Sequence, residues 1–385
     1  MFSLEKFYDI LYKNLLDPFD TGYFYFSKFG SLAPEHFSKG VAEFKADRCV
    51  LFYDQEPVYQ SDLDMLAISS NHNERLAYFN TLLSDNSIID KFLVFANSEI
   101  SAEKDKFLEN NPSLHDWYYF FHGFAALDWY RNIQYLPPNR KFTKVFICFN
   151  NLYTEKRSYR LNLIARLLDR ELDQYGAISL PPKDLQKKIK QEIFSPHCLL
   201  SLESKKLVLD TLVKDTPRLV IDTESPHGML SADVNLDVLT QGFLHVVTET
   251  IFYDNKLHLT EKIFKPIVAR RPFVLVGAPG NLAYLKSYGF KTFDRWIDES
   301  YDDILDPDTR IKAIVNEIDN ICSLSSEELV DMHIEMQSVL DYNFNHFYNE
   351  FKEHIVEELV YNFSKCTGFD HDADLFRDVK TRLAR

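Results

Sequence analysis

Four groups of residues have side-chain types and spacings suited to chemistry. The densest lies in Phe243–Gly277. There F-L-H-V-V-T-E-T carries Glu249, and a loop leads through L-H-L-T-E-K, with Thr260, Glu261 and Lys262, into I-F-K-P-I-V-A-R-R-P-F-V-L-V-G. A carboxylate accepts paired hydrogen bonds from vicinal ribose hydroxyls, while a lysine and the open N–H groups of a helix start attract a diphosphate, so this set suits a sugar nucleotide. Pro266 leaves two helix starts open: with Thr260 as N-cap it falls inside the helix, and with Lys265 as N-cap it takes the favoured first position. Taken alone, T-E-K is an ordinary helix start with a solvated lysine.

The second group is Phe149-Asn150-Asn151 followed by Arg157-Ser158-Tyr159-Arg160. A strand ends in paired amides, and Arg157 and Arg160 stand at i and i+3 at a helix head, where two guanidiniums on one face can grip a phosphate. The competing reading is a solvated face paired with Glu155 or Asp169. In the third group, V-L-F-Y-D-Q-E-P, a strand runs into Asp54 and Glu56. A carboxylate there can take the proton of an acceptor hydroxyl; Glu56, fixed by Pro57, is the first candidate and Asp54 the second. A loop carboxylate capping a neighbouring helix is the alternative. The fourth is W-Y-Y-F-F-H-G, a strand ending at His122, with Gly123 allowing close backbone approach or a positive φ. His122 can hydrogen-bond a phosphate or an acceptor hydroxyl, or serve structure alone. Trp129 and Tyr130 suit core packing better than stacking on a ligand.

These residues need strands and helices to position them. Apolar runs predict strands at Cys49–Tyr53, Phe92–Ala96, Tyr118–Phe121, Val145–Phe149, Leu219–Ile221, His245–Thr248 and Phe273–Val276. Helical patterns cover Arg157–Tyr175, Gly280–Tyr288, Arg310–Leu324 and Ser326–Leu340. Such alternation predicts an α/β fold with mainly parallel sheets, in two domains with a cleft between them. The proline-bearing break Leu136–Arg140 gives the expected division into 1–138 and 139–340, with 341–385 as C-terminal helices. Pro181-Pro182 opens an irregular stretch running through the basic segment Lys183–Lys190.

The order strand-Glu, loop, T-E-K, helix, P-F-V-L-V-G, N-L-A-Y-L resembles the donor-binding half of α-1,3-fucosyltransferase-like glycosyltransferases. Extended through L-K-S-Y-G-F-K-T-F-D-R-W-I-D-E-S-Y-D-D-I, it is similar to a group of glycosyltransferase-like proteins common in bacteriophages. The resemblance implies the GT-B architecture of two Rossmann-like domains facing a central cleft, with 1–138 as the acceptor-side domain, 139–340 as the nucleotide-sugar domain and 341–385 as helices that can cross back to the first. The same resemblance implies Glu261 on the donor ribose, Lys262 on its diphosphate and Glu249 lining the same pocket. It also implies that Asn150 and the basic helix start belong to the donor side. The chain departs from the pattern at Glu249-Thr250-Ile251, where fucosyltransferases usually carry E-N-S, and at Tyr159, where the phage-type group suggests histidine. The expected activity is transfer of a sugar from a nucleoside diphosphate sugar to a hydroxyl of a glycan or of a hydroxymethylated DNA base, with inversion. A nucleotide-sugar hydrolase or epimerase, and a non-catalytic nucleotide-sugar-binding protein, are the competing readings.

Composition bounds these readings. Hydrophobic residues make up 45% of 385, enough for large cores and too many for a disordered chain. The net charge of −15 weighs against broad coating of DNA, although Lys183, Lys187, Lys188 and Lys190 form a local basic cluster. The five cysteines show no C-x-x-C or Cys/His metal spacing, which argues against a disulfide framework or a structural zinc and for a reducing cytoplasm, that of a host if the chain is viral. Met1–Asp9 lacks a signal-peptide pattern, and no apolar run suits a membrane span. No P-loop, G-x-G-x-x-G or G-x-S-x-G occurs, and D-x-D triplets are expected by chance in so acidic a chain. No cofactor or metal is expected, because Arg, Lys and a helix dipole can neutralise a leaving diphosphate.

Overall fold

The computed structural model describes residues 4–11, 15, 22–25, 48–57, 92–112, 114–133, 142–180, 185–213, 236–368, 377 and 381–382. It is an α/β protein with parallel sheets, dividing into two compact units: Met1–Asp128 with Glu350–Arg385, and Trp129–Asn349. The expected break at Leu136–Arg140 and the expected strand Leu219–Ile221 lie outside the described residues. Among the described residues no helix is long and apolar enough to cross a membrane.

In the first unit, strands β1 (Gly22–Tyr25), β2 (Arg48–Tyr53) and β3 (Phe92–Asn97) precede a two-residue strand β4 (Ile100–Ser101) and then β5 (Leu114–Tyr118). Four of them form a parallel sheet in the order β1-β2-β3-β5. The register sets Tyr53, Asn97 and Tyr118 level, so Asp54, Ser98 and Tyr119 emerge side by side at the carboxyl edge. The C-terminal helix Glu350–Thr367 packs on β5: the Trp117 indole donates to the Leu359 carbonyl at 3.1 Å and meets the Phe363 ring at 4.7 Å. Its apolar side, Phe351, Ile355, Val356, Leu359, Val360 and Phe363, follows helical spacing and is buried.

The expected strand Tyr118–Phe121 is corrected. The strand ends at Tyr118, and Phe121–Trp129 is a helix that begins where the Ser98 hydroxyl accepts the Phe121 amide at 3.1 Å. His122 therefore sits in the first turn of a helix. Gly123 has no positive φ; it serves close packing, since a Cβ there would lie 2.8 Å from the Phe351 ring.

In the second unit, β6 (Lys144–Cys148), β7 (Gly176–Ile178), β8 (Gly242–Thr248) and β10 (Phe273–Val276) form a parallel sheet in the order β10-β8-β6-β7; β9 (Lys256–Leu257) is a two-residue strand. Every residue of β8 and β10 is buried, as expected of apolar strands covered on both faces. His245, in mid-β8, is held by the Leu239 carbonyl at 2.8 Å, and burial pushes its pKa down to about 4. The chain passes from β6 to β7 on one side, then returns to the other side through β8 and β10. The order thus reverses between β6 and β8, and a crevice beyond strand carboxyl ends at such a reversal is where open α/β sheets take ligands.

Several expected helices shift their bounds. Helix Tyr159–Asp169 follows a 3-10 turn at Glu155–Arg157, Pro307–Cys322 starts behind an Asp306 N-cap, and Ser326–Tyr348 runs past Leu340. The irregular stretch expected through Lys190 is corrected: Leu185–Ile193 is a helix, because Ile189 and Ile193 stand four apart on the side facing the core. Replacing Trp117 by Ala removes both the ring packing and the hydrogen bond that hold the C-terminal helix to β5. It should cost about 3–5 kcal/mol of stability, measured by chemical denaturation.

Candidate functional site

The carboxyl edge of the second sheet gathers the residues expected on the donor side. Glu249 directly follows β8 and is buried; its amide donates to the Val276 carbonyl of β10 at 3.0 Å. Its carboxylate accepts the Thr260 hydroxyl at 2.5 Å and the Thr260 amide at 3.3 Å. The Lys262 ammonium donates to the Thr260 hydroxyl at 3.0 Å and to the Thr250 hydroxyl at 3.5 Å, and pairs with Glu261 at 3.4 Å. Thr260 thus links a buried carboxylate to a half-buried cation. Burial raises the Glu249 pKa; the Lys262 charge and the Thr260 hydrogen bonds oppose that rise, and the Glu261 charge adds to it.

The helix start left open by the sequence resolves into two pieces. Thr260 precedes a 3-10 turn at Glu261–Ile263, and the α-helix Phe264–Val268 follows with Pro266 in its first turn, where no amide donor is needed. Glu261 is buried, and its carbonyl accepts the Tyr130 hydroxyl at 3.3 Å. Burial, with Glu261 and then Glu249 nearby, raises the Tyr130 pKa well above its ordinary value, so this phenol stays protonated.

On the neighbouring strand of the sheet, Asn150 follows β6 and is buried. Its amide nitrogen is near the Cys148 sulfur at 3.3 Å, while its Oδ1 has no hydrogen-bond partner among the described residues. The two arginines do not act as a pair. Arg160, inside the helix and buried, donates to the carbonyls of Leu152 (2.7 Å), Thr248 (3.1 Å) and Glu249 (2.9 Å). Arg157 closes the preceding 3-10 turn, half-buried, and its side chain makes no hydrogen bond or ion pair with the described residues. The convergence of both guanidiniums on one phosphate is therefore corrected: three carbonyls claim Arg160, and only Arg157 is uncommitted.

Sequence reasoning missed the frame around Glu249. The Tyr159 hydroxyl donates to the Glu249 carbonyl at 2.5 Å, and the Tyr159 ring stacks on Phe252 at 4.3 Å. The Arg310 guanidinium lies 4.2 Å from the centroid of the same Phe252 ring and donates to its carbonyl. The loop after β8 is thus clamped from two helices. Of the D-x-D triplets, Asp306-Pro307-Asp308 works in structure: Asp306 caps a helix, and Asp308 accepts from Asn162 and Ser204. Asp62-Leu63-Asp64 and Asp372-Ala373-Asp374 lie outside the described residues.

The first unit holds Asp54, Glu56 and His122. Asp54 is fully buried at the end of β2 and accepts hydrogen bonds from the hydroxyls of Tyr8 (2.9 Å) and Tyr119. Burial raises its pKa to about 6 against the opposing effect of those two hydroxyls, its own backbone amide and the His122 charge. Glu56 is half-buried in the bend that follows, before the buried Pro57, and His122 is buried.

Compared with protein-family models, with curated proteins and with solved structures, the chain gives no significant match.

Asp54 makes stability depend on pH. The folded state holds its proton up to about pH 6, whereas the unfolded chain releases it near 3.8, so the folded state binds more protons in between. Stability from this group is present below pH 4 and falls by roughly 1.4 kcal/mol per pH unit as pH rises toward 6. Asp54→Asn should remove that slope, so its melting temperature should gain on the wild type between pH 4 and 6 in parallel thermal melts.

Proposed function

We propose that the chain is a glycosyltransferase that moves a sugar from a nucleoside diphosphate sugar to an acceptor hydroxyl. One observation carries this reading: Glu249, Thr260, Glu261 and Lys262 meet at the point where the strand order of the second sheet reverses. Glu261 accepts from the donor ribose, while Lys262 and the uncommitted Arg157 meet the diphosphate. The open Oδ1 of Asn150 takes a hydrogen bond from the donor. Glu249 has its carboxylate engaged by Thr260 and sets the position of Thr260 and Lys262 in the pocket.

On this reading the two units are the Rossmann-like halves of a GT-B enzyme, and the first supplies the base. Glu56, at the carboxyl edge and half-buried, takes the acceptor proton as the hydroxyl oxygen attacks the anomeric carbon. The nucleoside diphosphate leaves from the opposite face, which inverts the centre, and Lys262 and Arg157 meet the charge that builds on it. The reading assigns no step to a metal. The acceptor is a glycan or a hydroxymethylated DNA base, and the setting is the cytoplasm.

The test is release of nucleoside diphosphate and labelling of acceptor across UDP-, GDP-, CDP- and ADP-sugars. Glu56→Ala should lower transfer by about 10²–10⁴-fold while nucleotide affinity stays within a factor of about two. Full activity in Glu56→Ala with loss in Asp54→Asn would move the base to Asp54. Turnover of donor without any acceptor would replace transfer by hydrolysis.

A further inference from the structure

The helix Leu185–Ile193 leaves Lys187, Lys188 and Lys190 exposed. In a chain of net charge −15, these lysines form no ion pair with the described residues. Positions 187, 190 and 194 stand at i, i+3 and i+7 and so share one helical face. Phe194 prolongs that face, its amide donating to the Lys190 carbonyl at 3.1 Å. Among the described residues the two most exposed large apolar side chains are Leu202, at 86%, and Phe194, at 75%; Leu199 between them is also exposed.

This patch is firmly mounted. The Glu192 carboxylate accepts the Glu155 amide at 2.7 Å, which ties the helix to the loop after β6. The Ser201 hydroxyl caps helix Leu202–Val208, and Ser204 donates to Asp308 at 2.8 Å. Lys187, Lys190 and Phe194 are therefore presented together on one face of the second unit, and the exposed Leu199 and Leu202 follow in the next stretch of chain.

We propose that this face docks on an anionic lipid surface, with the lysines against headgroups and Phe194 and Leu202 in the interfacial layer. Three occupants compete, and the side chains choose among them. A nucleic acid would satisfy the lysines and leave the Phe and Leu in water. A second copy apposing the same face would set lysine against lysine. An anionic bilayer surface takes both kinds of group at once. The inference stands independently of the proposed reaction.

The test is co-sedimentation of the full chain with vesicles of phosphatidylcholine mixed with phosphatidylglycerol, and of phosphatidylcholine alone. The mixed vesicles should bind at least about tenfold more tightly, and less so as salt is raised. Phe194→Ser with Leu202→Ser, and Lys187→Glu with Lys190→Glu, should each weaken that binding by about tenfold with unchanged melting temperatures. The proposal is overturned if both double variants bind vesicles like the wild type. It is overturned equally by lysine-dependent binding to duplex DNA without vesicle binding, or by the apolar variant converting a dimer to a monomer without vesicle binding.

Discussion

A carboxylate removed from water at the end of a parallel strand is costly unless hydrogen bonds and a nearby cation compensate it, and Glu249 is such a group. The second unit is arranged around that constraint. Thr260 donates twice to the carboxylate, and Lys262 stands one hydroxyl away. The backbone of the same residue is held by Val276 on the neighbouring strand and by Tyr159 and Arg160 from a helix. Phe252, between Tyr159 and Arg310, fixes the loop that leads from Glu249 to Thr260. The positions of Thr260 and Lys262 are thereby set by packing and hydrogen bonds within the fold itself.

The two units treat a buried carboxylate differently. Glu249 has a lysine close by, so its burial is offset by charge as well as by hydrogen bonds. Asp54 is held mainly by phenolic hydroxyls, and its pKa climbs to about 6. A group of the first kind suits fixed binding of a polar ligand, and one of the second kind can exchange a proton near neutral pH.

Much of this was legible in sequence for physical reasons. Strands β8 and β10 are short apolar runs rich in valine and leucine. The run Tyr118–Phe121 reads as a strand because helix Phe121–Trp129 is apolar almost all round, with Phe121 to Asp128 buried, so periodicity does not separate its start from a strand. The grouping of Glu249 with Thr260 and Lys262 could be read from their positions at a strand end and a helix start. The direction of Arg160 could not be, because it depends on carbonyls as distant in sequence as Glu249. The hydroxyls of Tyr8 and Tyr119 on Asp54 were hidden for the same reason.

The central claim is that the cluster at the strand-order reversal binds a nucleoside diphosphate through Lys262. Thermal melts of the wild type and of Lys262→Ala with UDP, GDP, CDP and ADP test it most directly. A ligand at about 100 times its dissociation constant stabilises the folded state by about 2.7 kcal/mol, a shift such melts resolve. The account predicts that one nucleotide raises the melting temperature of the wild type and leaves the variant nearly unmoved. Equal shifts in both proteins, or no shift with any of the four, would contradict it.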